Sequence, residues 1–335
     1  MILLTGATGL VGSHLAYSLL QKQDRIRATH RSSSDLNSVK KVFSYFTDQA
    51  EDYFQRIDWV EADLTDVSAL EKAFKGITTV YHSAAYVNFN PRNFNKLKKS
   101  NVEATANMVN LSLDFGVKRF CYVSSIATIG TPNKDKLADE SSPWSWEEDN
   151  NVYAITKYNA EMEVWRGSQE GLSVVIVNPG VILGAGYWNE GSGSIVKGIA
   201  RGLPFYTEGG VGFVDVLDVV DAMTMLTESE IEAERFVLVG HNMTYLQLIT
   251  LFSKSFGIKV PSRRIGPGPL HMFRLLDYLS HLLLGRKQSL FKDSIRSLCR
   301  KAYYSSEKIE KSTGFKFRPI QQTVDRLAAD YSKES

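Results

Sequence analysis

Thr5-Gly6-Ala7-Thr8-Gly9-Leu10-Val11-Gly12 follows directly on the apolar run Met1-Ile2-Leu3-Leu4 and leads into an amphipathic stretch from Leu10 to Leu20. Glycines at 6, 9 and 12 permit a tight turn, close approach of the backbone to a pyrophosphate, and close packing of a helix on a sheet. The helix N-terminus that follows favours negative charge. Such spacing is weak evidence by itself, because glycine is frequent; the strand before it and the helix after it make it a dinucleotide cradle. Thr8 and Leu10 belong to the same turn and are expected to contact the same ligand.

Outward from the cradle, short β-branched runs alternate with longer helical patterns. Ile26 to Thr29, Ile57 to Val60, Thr79 to His82, Arg119 to Val123 and Val174 to Val177 read as strands. Asp66 to Phe74 and Phe94 to Phe115 carry apolar residues at helical spacing. The alternation predicts an α/β, Rossmann-type, doubly wound parallel sheet. Residues 1–180 are expected to form the dinucleotide-binding domain, and 181–335 a smaller, mainly substrate-binding region. Segments within about 211–240, Phe213 to Val216 and Phe236 to Val239, return to the Rossmann core in this reading. Asn37 to Arg56 reads as an added surface helix.

The 335 residues are 43% hydrophobic, enough for a large core, and the net charge of +2 carries no polyanion-binding footprint, so nucleic acid is not an expected partner. Met1 runs straight into the first strand, leaving no room for a secretory leader and pointing to the cytoplasm. Cys121 lies in an apolar run and Cys299 in a basic one, as reduced thiols do. The six histidines show no ligand spacing, so no metal is expected. The apolar stretch Leu279 to Leu284 is far shorter than the roughly 20 residues a membrane-spanning helix needs. Between Lys259 and Arg318, however, 14 Lys and Arg face 4 Asp and Glu. Within it Leu270 to Leu284 shows helical spacing and precedes Arg286-Lys287. A lid or a peripheral membrane contact is open there, but a solvated basic face over a packed helix is favoured.

Tyr153-Ala154-Ile155-Thr156-Lys157 puts a phenol and an ammonium at i and i+4, on one helix face. A neighbouring Lys⁺ favours the tyrosinate and is expected to lower the phenol below its usual value of about 10, making it a usable acid or base. Ser124-Ser125 ends a buried strand where open α/β sheets bind ligands; the hydroxyls can orient a carbonyl or cap the following turn. At the end of the second strand, Arg25 to Ser34 contains no Asp or Glu. An acid there would bind a ribose 2′-hydroxyl, whereas Arg31 with adjacent hydroxyls accommodates a 2′-phosphate, so NADP is expected over NAD.

In this order and at these intervals, the motifs resemble the extended short-chain dehydrogenase/reductase family, within the NAD-dependent epimerase/dehydratase superfamily, from Met1 to about Tyr331. Asp63-Leu64 is similar to the family's adenine-contacting motif. His82-Ser83-Ala84-Ala85 is similar to its His-Ala-Ala segment, and Asn101 opens its Asn-x-x-Gly-Thr-x-Asn helix with Ala104 in place of glycine. The resemblance implies that Tyr153 exchanges a proton with the substrate oxygen, Ser125 positions that oxygen, and Lys157 binds the nicotinamide ribose. Backbone contacts to nicotinamide then fall at Pro179, Gly180 and Val181. Arg27-Ala28-Thr29-x-Arg31, Trp59 to Leu64 and Asn178 to Gly184 look like the dihydroflavonol reductase-like branch, which reduces ketones. What is implied is an NADP-dependent oxidoreductase acting on a carbonyl or secondary alcohol of a small organic molecule. A nucleotide-sugar epimerase or dehydratase with tightly bound NAD(P) and an NADP-sensing regulator are the alternatives. Tyr86, Trp188 and Ser125 are the expected substrate contacts. A homodimer is expected through Phe94 to Phe115 and Asn151 to Gly167.

Overall fold

The computed structural model describes residues 1–132, 137–148, 150–284 and 291–334, with backbone alone over 279–284. Its first strands are β1 (Ile2–Thr5), β2 (Ile26–His30), β3 (Ile57–Glu61), β4 (Thr79–His82), β5 (Arg119–Val123) and β6 (Val174–Pro179). After them come β7 (Val181–Leu183), β8 (Phe205–Tyr206), β9 (Gly210–Asp215), β10 (Glu234–Leu238), β11 (His241–Thr244) and β12 (Arg263–Arg264). Seven of these form one parallel sheet in the order β10-β6-β5-β4-β1-β2-β3, the Rossmann-type arrangement expected from the alternation.

The crossovers are α1 (Leu10–Lys22), the pair α2 (Asn37–Phe43) and α3 (Ala50–Gln55), and α4 (Val67–Phe74). Beyond β4, α5 (Phe94–Leu97), a π-helical stretch Lys98–Glu103 and α6 (Ala104–Asp114) run on as one piece, and α7 (Val152–Gln169) follows β5. Two starts are set by side chains. The Asp66 carboxylate accepts the Ala69 N–H ahead of α4, and the Asn151 side chain accepts the Ala154 N–H ahead of α7.

Strand residues alternate between two cores. Leu3, Val80, Phe120 and Ile176 pack under Leu70, Phe74, Met108 and Val164, while Leu4, Tyr81, Cys121 and Val177 face Leu15, Leu19, Val220 and Met223. Burial on both faces explains why these strands read as continuous apolar runs rather than as alternating ones. The Asn37 to Arg56 segment is two helices, and Val39, Val42 and Phe43 are fully buried rather than superficial. Tyr17 of α1 explains this: its ring stacks on Phe46 at 4.8 Å and meets Phe43 and Tyr53 at 5.5 and 5.2 Å.

After β6 the chain builds a smaller lobe from a three-stranded sheet, β11-β9-β7, with α8 (Gly191–Ala200) and α10 (Tyr245–Ser255) around a third apolar core. Of the segment expected to return, α9 (Val216–Glu228) and β10 rejoin the main sheet, whereas β9 stays in the lobe. α13 (Glu307–Thr313) and α14 (Ile320–Ser332) close the chain, and Arg326 of α14 holds both Asp215 oxygens at 2.6 Å.

α11 (Pro267–Leu284) and α12 (Lys292–Cys299) lie between. Here the expected solvated basic face over a packed helix is reversed. Leu270 is buried and Arg274 and Asp277 are half-buried, while Met272, Phe273, Leu275, Leu276 and Tyr278 are exposed. Arg286 and Lys287 lie outside the described residues. Among the described residues no helix is long and apolar enough to cross a membrane.

Candidate active site

The glycine turn separates into packing glycines and an open one. A Cβ on Gly12 would stand 2.1 Å from the Gly6 carbonyl oxygen, and one on Gly6, whose φ is +72°, would stand 2.6 Å from the Ala84 nitrogen. Gly9 differs: its backbone is extended, and a Cβ there would meet only the Gly6 oxygen at 3.4 Å, an ordinary contact. Among the described residues nothing demands glycine at 9. No side chain caps α1 at this point and no acid stands in its first turn. Bare N–H groups and an open approach fit a pyrophosphate, so the residues present suit a dinucleotide. Thr8 and Leu10 flank Gly9, and the Thr8 carbonyl accepts the Tyr187 hydroxyl at 2.9 Å, pinning the turn to the smaller lobe.

Around this turn the neighbouring strand ends are tied together. Ser83 Oγ donates to the Thr5 carbonyl at 2.7 Å, and Ala84 and Ala85 continue the strand end beside Gly6. His82 is wholly buried and hydrogen-bonds Thr5 Oγ1 at 2.6 Å and Thr105 Oγ1 at 2.9 Å; burial draws its pKa down to about 3. Arg31 is exposed just past β2. The Asp63 carboxylate takes the Thr65 hydroxyl and N–H at 2.7 and 2.9 Å, bonds that hold it below its ordinary value, with Arg31 adding in the same direction. The Leu64 carbonyl accepts Asn107 Nδ2 at 3.0 Å. Asn101, expected at the cofactor, directs its buried amide to the Tyr86 backbone, at 2.7 and 3.1 Å, and to Thr156 Oγ1 at 3.3 Å. Pro179 closes β6, Gly180 donates its N–H to the Leu238 carbonyl at 3.0 Å, and Val181 opens β7.

Ser125, Tyr153 and Lys157 meet at the end of β5. The Tyr153 phenol lies beside the Ser125 hydroxyl, and burial pushes it up to about 12 while the nearby hydroxyl pulls the other way. This reverses the expectation that Lys157 lowers it. Lys157 Nζ instead donates to Tyr122 Oη at 2.7 Å and the Val123 carbonyl at 2.8 Å, lying 4.3 Å from the Tyr122 ring centre. Burial draws the Lys157 pKa down to about 7, with Glu161 opposing. Ser125 Oγ also accepts the Ala127 N–H at 3.1 Å, so the capping and carbonyl-orienting readings of this hydroxyl coexist.

Ser124 turns away, into a network that sequence reasoning missed. Glu161, wholly buried on α7, accepts Ser124 Oγ at 2.5 Å, Thr128 Oγ1 at 2.8 Å and Asn178 Nδ2 at 2.9 Å on one oxygen. Its other oxygen takes Arg235 Nη1 at 2.9 Å. The available signal was spacing: 153, 157 and 161 fall at i, i+4 and i+8 of one helix face.

Toward the substrate side, Tyr86 is half-buried, with Lys96 Nζ 4.7 Å from its ring centre and Asn88 donating to its hydroxyl at 3.2 Å. Exposed Val87 and Phe89 follow it, and Phe89 meets the Tyr153 ring edge-on at 5.5 Å. Trp188 is corrected: it is 6% exposed, packed in the smaller lobe's core with its ring 5.2 Å from that of Tyr331. Its neighbour Tyr187 is the residue that reaches the glycine turn.

The model of the NAD dependent epimerase/dehydratase family matches residues 2–240. Among curated relatives, a putative dihydroflavonol 4-reductase of Synechocystis is 27% identical over 96% of this chain and 91% of its own. Cinnamoyl-CoA reductase 1 of Oryza sativa subsp. japonica is 26% identical over 76% of each chain. The crystal structure of gox2253 superposes with a TM-score of 0.82 at 27% identity, covering 100% of this chain and 98% of that one. UDP-glucose 4-epimerase of Thermotoga maritima shares the fold at a TM-score of 0.77 and 20% identity, over 99% of both chains. This chain therefore belongs to the NAD dependent epimerase/dehydratase family and is an NAD(P)-dependent enzyme of the short-chain dehydrogenase/reductase type.

Proposed function

We propose that this enzyme is an NADP-dependent oxidoreductase that reduces a ketone or aldehyde of a small organic molecule, or oxidises the corresponding secondary alcohol. The observation that carries this reading is the meeting of Tyr153 and Ser125 at the end of β5, one helical turn from buried Lys157 and with the Phe89 ring edge-on to Tyr153. With its pKa near 12 the phenol is protonated at neutral pH, so it is ready to donate to a carbonyl oxygen as that oxygen gains charge. Ser125 holds the same oxygen, and the Lys157 ammonium, when charged, offsets the developing phenolate. When bound, the nicotinamide supplies the hydride for reduction or accepts it in oxidation. The Gly6 to Gly12 turn and the bare N-terminus of α1 would hold its pyrophosphate, and Arg31 a 2′-phosphate.

The reductase names among the relatives support the direction, and the Phe89 ring beside Tyr153 suits a ring-bearing or apolar substrate. A homodimer through Phe94 to Phe115 and Asn151 to Gly167 accompanies this reading and is checked by light scattering of the purified chain. The deciding experiment measures oxidation of NADPH and NADH against a panel of ketones, aldehydes and nucleotide sugars. Turnover of a carbonyl compound with NADPH, lost by about 10²-fold or more in Tyr153→Phe, is the expected result. Conversion of a nucleotide sugar with no net cofactor oxidation overturns it in favour of the epimerase alternative.

A further inference from the structure

α11 carries an apolar area that none of the chemistry above uses. Met272, Leu275 and Leu276, at i, i+3 and i+4, share one face and are 57%, 56% and 55% exposed. The opposite side holds Leu270, Arg274 and Asp277, which are the buried and half-buried ones. A helix on a globular protein normally turns its apolar stripe to the core. Here the order is inverted, and in the sequence the apolar series runs on through Leu279, Leu282 and Leu283.

The helix is presented rather than loosely attached. The Ile265 N–H donates to the Tyr206 carbonyl at 2.9 Å before it. After it, Gly209 and Gly210 donate to the Leu298 and Arg300 carbonyls at 3.1 and 3.0 Å, and Ala302 donates back to Gly210 at 3.0 Å. Both roots of the excursion are thus fixed on the same short stretch of the smaller lobe. Cations frame it: Arg263 stands exposed ahead of α11, and Lys292, Arg300 and Lys301 stand exposed after it.

We propose that α11 is a docking face for an anionic bilayer surface. Its Met272 to Tyr278 side enters the headgroup boundary while the flanking cations meet lipid phosphates. Charge selects this occupant. A second copy of the chain on the same face would bring the exposed Arg263, Lys292, Arg300 and Lys301 of both copies together, which repel. The 18 residues of α11 lie on the surface rather than cross it, since no helix of the described residues qualifies as a span.

The test floats the full chain with phosphatidylcholine vesicles, with and without phosphatidylglycerol, at low and high salt. Binding that requires the anionic lipid and weakens as salt screens it is expected. Leu275→Glu/Leu276→Glu should reduce that binding roughly tenfold or more, and Lys292→Glu/Lys301→Glu should reduce it severalfold. All four residues are surface positions, so thermal midpoint and dinucleotide binding should stay at the parent value, separating loss of docking from loss of fold. Absence of vesicle binding, or binding that neither pair of substitutions alters, overturns the proposal. So does a lipid-free dimer that Leu275→Glu/Leu276→Glu dissociates, which would assign the face to a second copy of the chain.

Discussion

Removing the Glu161 carboxylate should be among the most damaging single changes to this fold. The side chain is wholly buried, and its two oxygens take Arg235, Ser124, Thr128 and Asn178. In Glu161→Ala two of these donors keep other acceptors: Thr128 Oγ1 has the Ser125 carbonyl at 2.9 Å, and Asn178 Nδ2 has Thr128 Oγ1 at 2.8 Å. Ser124 is left with a 3.5 Å approach to Thr128, and Arg235 Nη1 loses its carboxylate. Breaking one side of a buried pair costs about 3–5 kcal/mol. At about 2.1 cal/mol/K of unfolding entropy per residue, 335 residues convert that into a drop of about 4–7 °C in thermal midpoint. Glu161→Gln should cost less, about 1–3 kcal/mol, because the amide oxygen can keep Arg235 while its NH₂ donates to hydroxyls that rotate into acceptors. Asn178 helps, since its Oδ1 is buried without a partner and can turn to accept. Differential scanning calorimetry of the parent and both variants decides. A Glu161→Ala midpoint within about 1 °C of the parent, or Gln more damaging than Ala, would refute the assignment of this network as buried and interdependent.

Arg31→Ala should weaken NADPH binding far more than NADH binding; equal losses by fluorescence titration would sink the cofactor preference. Lys157 stands at about 7, so near pH 8 it is largely neutral, and a polyanionic dinucleotide bound beside it should draw a proton onto it. Calorimetric titration at pH 8 in buffers of different ionisation enthalpy should show that uptake, and buffer-independent heats would contradict it. His14 and His82 are held by burial at about 4 and about 3, below their ordinary 6.5. The unfolded chain therefore takes up protons that the folded chain refuses. Their contribution is fully present above pH 6.5 and is lost as pH falls toward 4 and then 3. Urea midpoints should slope downward through that window, and His14→Asn/His82→Gln should flatten the slope; a parent midpoint constant down to about pH 4.5 would refute this.

What could be read from sequence is what short-range geometry dictates. The glycine turn was legible because the requirement is local: Gly12 faces Gly6 within one turn of chain. Tyr153 and Lys157 were legible because a helix period puts them on one face. Their support was not, since Asn178 and Arg235 lie 17 and 74 residues from Glu161 and only the sheet order brings them to it. The same limit explains two misreadings. Tyr187 and Trp188 are adjacent aromatics, and nothing in either side chain says that Tyr187 reaches the Thr8 carbonyl while Trp188 packs against Tyr331. In α11 periodicity established that a stripe exists, but not which way it faces. A stripe turns inward only if a complementary apolar surface waits there. Among the described residues between β12 and α12, α11 finds room for Leu270 and for half-buried polar groups, so Met272, Leu275 and Leu276 are left to find their apolar phase outside the chain.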